Sequence, residues 1–115
     1  MGFSIGSATD SRHHTVTLEV AGEIDSTTAP RFQHEVIRQV LGRPPHLVID
    51  LSAVTRLDTS ALAALAEART LTRGLTRITV ILPHSHVLAP VQRATLAAMF
   101  AIDSELPVPA ESATT

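Results

Sequence analysis

Apolar and polar positions alternate most clearly from Thr15 to Ala21. Val16, Leu18 and Val20 fall on one side and Thr15, Thr17 and Glu19 on the other, the period of a strand with one covered face. Gly22 is expected to break it. Phe3 and Ile5 alternate with small polar residues and predict a short strand ahead of it. Beyond Gly22 the period lengthens. The Ser26-Thr27-Thr28 cluster offers N-cap candidates, and Pro30 fits a first helical turn, where its missing N–H costs nothing. Phe32, Val36, Ile37 and Val40 share one helical face. Gly42 is the expected C-cap, and Pro44-Pro45 prevent continuation.

Leu47 to Leu51 is a short, almost wholly apolar run, the pattern of a central strand buried on both faces. A loop through Arg56 should follow. From Asp58 to Arg73 the chain is alanine-rich and helical. Ala61, Leu65, Ala68 and Leu71 should face inward, with Ala63, Glu67 and Thr70 outward. Gly74 ends that helix. Ile78 to Leu82 is a further strand, stopped by Pro83. A last helix is expected from Val87 to Met99, and Phe100 and Ile102 suit a final short strand. Strand, strand, helix, strand, helix, strand, helix demands crossover connections. The expected fold is a single α/β domain, a mixed sheet of four to five strands with helices packed mainly on one face. It should occupy residues 1–103, leaving 104–115 as a polar, Pro-containing tail that frays.

The chain has 115 residues, one domain's worth, and 44% are apolar, enough for a core. Aromatics are only 3%, so the core is aliphatic and base stacking is not this protein's business. A net charge of −2 argues against direct nucleic-acid binding and adhesion to anionic membranes. Cysteine is absent, which removes disulfides, thiol catalysis and Cys-based zinc sites. Every basic residue is Arg; without Lys there is no Schiff base and no phosphate-loop lysine. Met1 to Asp10 lacks the basic start and apolar core of a signal peptide, and no run approaches a membrane span. A soluble, cytoplasmic domain is expected.

The informative stretch runs from Leu47 through Asp58-Thr59-Ser60 to Leu65. A strand leads to a helix whose first N–H groups have no internal partners. Asp58 can cap this end. Ser60 then sits in the first turn with its hydroxyl near the free N–H groups, where the helix dipole tolerates a phosphate. Locally, Asp, Thr and Ser at a helix start read first as ordinary capping residues. Asp25 reads as a turn or capping residue or as a functional one, and Asp50 as a residue that fixes a turn. His84-x-His86 has no evident third ligand, so neither a metal nor a cofactor is expected. A Ser60-based hydrolase lacks a Gly-x-Ser-x-Gly elbow and a placed histidine.

The combined pattern resembles the STAS domain family, specifically the small bacterial anti-sigma factor antagonists. The residues carrying the resemblance begin at Gly22-Glu23-Ile24-Asp25. They are strongest from Leu47 to Leu65, with the apolar strand, the Asp50-Leu51-Ser52 turn and the Asp58-Thr59-Ser60 helix start. The resemblance implies a non-enzymatic switch. The protein would bind an anti-sigma factor with Ser/Thr kinase activity, be phosphorylated by it on Ser60, and be reset by a Ser/Thr protein phosphatase. It places Asp25, Asp58 and Thr59 beside Ser60, and a docking stripe on Leu62, Ala66 and Arg69. An alternative within the family is a scaffold subunit that binds the ATPase of a lipid transport complex without phosphorylation. Two departures from the family pattern stand out. Ala61 replaces the usual Gly, with a methyl group expected to hinder a kinase backbone, and Leu106-Pro107-Val108-Pro109 cannot continue a closing helix.

Overall fold

The protein is described here from a computed structural model covering residues 2–72, 75–84 and 87–103. Eight elements follow one another: β1 (Phe3–Asp10), β2 (Thr15–Ile24), α1 (Ala29–Leu41), β3 (His46–Leu57), α2 (Thr59–Thr72), β4 (Arg77–Ile81), α3 (Pro90–Met99) and β5 (Ala101–Asp103). The strands form one mixed sheet in the order β1-β2-β3-β4-β5. β1 pairs antiparallel with β2, and every later pair is parallel. Each parallel step is a crossover through one helix and advances in the same direction. Such crossovers are right-handed, so all three helices fall on one face of the sheet. The expected order, mixed sheet and one-sided helix layer are all present.

The core lies between that face and the helices. Leu18, Val20, Ile24, Leu47, Ile49, Leu51 and Val80 from the sheet meet Phe32, Val36, Ala61, Leu65, Ala68 and Leu96 from the helices. Burying aliphatic side chains of this size contributes roughly 1.5–3 kcal/mol each, which is how so few aromatics suffice. The opposite face is more polar. Glu19 and Asp50 stand directly across from one another there, Glu19 exposed and Asp50 half-buried.

Several expectations are corrected. Gly22 does not end β2. It adopts φ +94° inside the strand, where a Cβ would meet the Gly2 carbonyl oxygen at 1.8 Å, and pairing continues to Ile24. β3 does not stop at Leu51, and no loop runs through Arg56. The strand alternates in burial rather than being covered on both faces, and it extends to Leu57. Two register shifts against β2 each leave one extra residue on β3. Asp50 acts at the first of these, not at a turn: its Oδ1 accepts from the Ser52 N–H at 2.9 Å and from its hydroxyl at 2.6 Å.

In α2 the buried residues are Ala61, Ala64, Leu65, Ala68 and Thr72, while Leu71 is 46% exposed. The turn of 100° per residue carries position 71 past the sheet and brings Thr72 in, whose hydroxyl donates to the Arg69 carbonyl at 2.9 Å. α3 starts at Pro90, not Val87; the Val87 N–H instead closes a turn onto the His84 carbonyl. α1 begins after Thr28, carries Pro30 in its first turn and ends at Gly42. Gly42 stays right-handed, and Arg43 is the residue with positive φ, at 55°. Arg73, Gly74, His86 and the tail 104–115 lie outside the described residues.

Candidate functional site

β2 and β3 are parallel neighbours, so their C-terminal ends leave the sheet side by side and feed α1 and α2. The Asp58 N–H donates to the Ile24 carbonyl at 2.8 Å and ties the two ends together. Asp25 and Asp58, the first residues beyond each strand, therefore occupy equivalent places at one end of the sheet. This is where open parallel sheets present their functional loops.

Asp58 caps α2. Its Oδ2 accepts from the Ser60 hydroxyl at 2.7 Å and from the Ser60 N–H at 3.5 Å, and its carbonyl accepts from the Ala61 N–H at 3.0 Å. The carboxyl is held below its ordinary value, chiefly by the Ser60 hydroxyl, then by the Ser60 N–H, with Arg56 adding positive charge nearby. Ser60 is half-buried and Thr59 exposed. The Ser60 hydroxyl is turned onto the Asp58 carboxylate rather than toward the free N–H groups.

Asp25 organises the adjoining turn. Its Oδ1 accepts from the N–H of Thr27 at 2.9 Å and of Thr28 at 3.1 Å. The Thr28 hydroxyl lies 2.9 Å from the Glu23 carbonyl and accepts from the Asp25 N–H at 2.9 Å. The Asp25 carboxyl is also held low, foremost by the Thr28 N–H, and Arg56 again contributes. Asp25 thus fixes this turn, and the Asp58 N–H to Ile24 carbonyl bond sets it at the same end of the sheet as Ser60.

The other predicted residues separate. Leu62 and Ala66 are half-buried and Arg69 is exposed along one stripe of α2. Arg69, nine residues beyond Ser60, is roughly 13 Å further along the axis. Ala61 is fully buried, so its methyl group enters the core and cannot face a partner. The expected steric hindrance at this position is corrected accordingly. His84 is exposed, and among the described residues no three His, Asp or Glu side chains gather as metal ligands.

Two contributors were not singled out from the sequence. Arg56 sits at the end of β3, and Gln92 on α3 donates to the Leu57 carbonyl at 3.4 Å, docking α3 beside the site. Gln92 also accepts from the Ala89 N–H at 2.9 Å, and a Gln three residues after a helix start is the one sequence signal that marks it.

A five-stranded mixed sheet with one helix layer and an Asp-Thr-Ser helix start at the strand ends defines a STAS domain. The sequence profile of that domain matches residues 7–107, and the chain belongs to the STAS family. Within it, the chain is 30% identical to an anti-sigma factor antagonist from Mycobacterium paratuberculosis. That comparison covers 90% of this chain and 88% of the other, with a TM-score of 0.75. The anti-sigma factor antagonist SpoIIAA in its unphosphorylated form shares the fold at a TM-score of 0.67 and 13% identity, covering 90% and 89% of the two chains. The Bacillus cell fate determinant SpoIIAA in the phosphorylated form does so at 0.58 and 14%, covering 90% and 93%. A sequence comparison with curated proteins returned no match. No helix among the described residues is long and apolar enough to cross a membrane.

Proposed function

We propose that this STAS domain is an anti-sigma factor antagonist whose docking end is switched by phosphorylation of Ser60. The observation that carries the reading is the Ser60 hydroxyl. It stands in the first turn of α2, partly accessible, at the shared end of β2 and β3 and 2.7 Å from Asp58. Membership of the family and the likeness to a 30%-identical antagonist support an anti-sigma factor as the partner, and the Ser/Thr kinase activity of that partner is part of the proposal. The protein itself performs no catalysis in this scheme.

In the transfer, the kinase's ATP loses its γ-phosphoryl group. The bond from Ser60 Oγ to phosphorus forms, the bond to the ADP leaving group breaks, and the hydroxyl proton passes to a base. The end of the sheet then gains about −1.5 to −2 charges beside Asp25 and Asp58. The helix N-terminus tolerates that charge within the protein. A partner surface fitted to a neutral Ser does not, and it releases. A Ser/Thr phosphatase restores binding.

The test is intact-mass analysis and phosphosite mapping after incubation with candidate anti-sigma kinases and ATP, with binding of the same kinases to Ser60→Ala, Ser60→Asp and Thr59→Ala. Ser60→Ala should lose phosphorylation and keep binding. Ser60→Asp should weaken binding less than true phosphorylation, since it supplies one charge and no tetrahedral oxygen set. Thr59→Ala should still be modified. Phosphate on Thr59 alone would move the site by one residue. No phosphate on either, with capture of a transporter ATPase and unchanged binding by Ser60→Asp, would favour the static scaffold.

A further inference from the structure

Three acidic residues and one arginine are carried where β2 and β3 end. The register sets Glu23 opposite Arg56 and Ile24 opposite Leu57. Side chains alternate between the faces of a strand. Ile24 and Leu57 are buried on the helix side, so Glu23 and Arg56 stand on the other, Glu23 half-buried and Arg56 exposed. Asp25 and Asp58 follow immediately, linked through the Asp58 N–H to Ile24 carbonyl bond. Arg56 is exposed two residues before Asp58, the carboxylate that holds the Ser60 hydroxyl, and its positive charge helps to hold both aspartates low. α3 contributes the neutral Gln92 at Leu57, with Arg93 next along that helix.

We infer that Arg56 is the in-chain counter-ion of a phosphate on Ser60, and so sets how much of that phosphate's charge the docking end displays. The inference rests on the reading of Ser60 as the modified residue. In the unmodified protein the Ser60 hydroxyl gives its proton to a hydrogen bond with Asp58. A phosphate ester has no such proton. Asp58 changes from acceptor to repelling neighbour, and Glu23 and Asp25 add to the repulsion. Arg56 is exposed, long, permanently charged and equipped with a fork of donors that matches phosphate oxygens. It exchanges part of its interaction with the carboxylates for the phosphate. The fully ionised phosphate is favoured at neutral pH as a result, and the same pairing masks part of its charge from the partner. Arg56 is therefore a positioning residue for the switch.

The experiment installs phosphoserine at position 60 during synthesis, so that no kinase is needed. Phosphorus NMR then follows its second ionisation between about pH 4 and 8, a range that brackets a phosphate's second pKa near 6. The phosphorylated wild-type chain is compared with phosphorylated Arg56→Gln, Arg56→Lys and Arg93→Gln. The wild-type phosphate should ionise about half a pH unit lower than that of Arg56→Gln, the size expected of one exposed charge at several ångströms. Arg56→Lys should recover most of the difference, and high salt should shrink it. Coincident titrations of wild type and Arg56→Gln would overturn the inference. So would failure of Arg56→Lys to recover the shift, or an equal shift in Arg93→Gln. If instead no kinase modifies Ser60, the proposed function falls while this titration still reads the role of Arg56.

Discussion

The Ser60 hydroxyl donates to Asp58 Oδ2 across 2.7 Å, two residues along the chain from its acceptor. One carboxylate thereby caps α2 and holds the hydroxyl proposed for modification. The Asp58 carboxyl is held low by that bond, so it favours folding wherever Asp58 is ionised in the folded protein. The sign follows directly. A depressed carboxyl pKa stabilises above the unfolded value, near 3.9, and the benefit is lost as pH falls through the folded value. Asp58→Asn should therefore unfold at lower urea concentration than wild type at pH 7, and the two midpoints should converge on acidification below about pH 4. Urea titrations across a pH series read this; a gap that widens in acid would reverse the assignment.

Gly22 and Gly6 offer a sharp contrast within the sheet. A Cβ on Gly22 would sit 1.8 Å from the Gly2 carbonyl oxygen, at a φ of +94° that side chains rarely adopt. A Cβ on Gly6 meets nothing within 4 Å. Gly22→Ala should cost roughly 2–4 kcal/mol, combining backbone strain with displacement of the start of β1. Gly6→Ala should fall within about 0.5 kcal/mol of wild type. Thermal or urea unfolding of the two variants decides it.

The same glycine shows where the sequence stopped being readable. Alternation from Thr15 to Ala21 identified β2, because burial on one face forces a period of two. Gly22 looked like a terminator because its role depends on β1 lying against it, a contact 20 residues away in sequence. β3 was legible only where it is apolar. Its continuation through Thr55 and Arg56 is fixed by pairing with the end of β2, not by a local pattern. Asp58 and Ser60 were legible because capping chemistry is local. Their companionship with Asp25, Arg56 and Gln92 comes from parallel strands ending together, which no single segment encodes.

Leu65 and Leu71 are both leucines of α2 that look inward-facing in the sequence, yet only Leu65 is buried. Leu65→Ala should destabilise by about 2–5 kcal/mol, through lost burial and the cavity left against the sheet. Leu71, 46% exposed, should lose less than about 1 kcal/mol on truncation. Equal losses in denaturation midpoints would mean that α2 is rotated from the orientation described.

Ala61 stands where the resemblance to the family implies Gly, and its burial reverses the expectation drawn from that difference. The methyl group is 0% exposed and part of the core cluster between α2 and the sheet. Ala61→Gly would remove a buried methyl and place the poorer helix former one residue after Ser60. Helix propensity alone accounts for about 1 kcal/mol, and the methyl for roughly another 0.8 kcal/mol. A loss of about 1–2 kcal/mol is expected, with more fraying at the first turn of α2. Relief of steric hindrance would instead appear as faster phosphorylation of Ser60 or tighter partner binding in Ala61→Gly. Because the methyl does not reach the surface, neither gain should occur. A looser first turn should slightly weaken binding, since the docking end is then less preorganised. Unfolding measurements paired with phosphorylation rates on the same two proteins separate the outcomes: a stable variant that is modified faster would place the methyl at the partner interface rather than in the core.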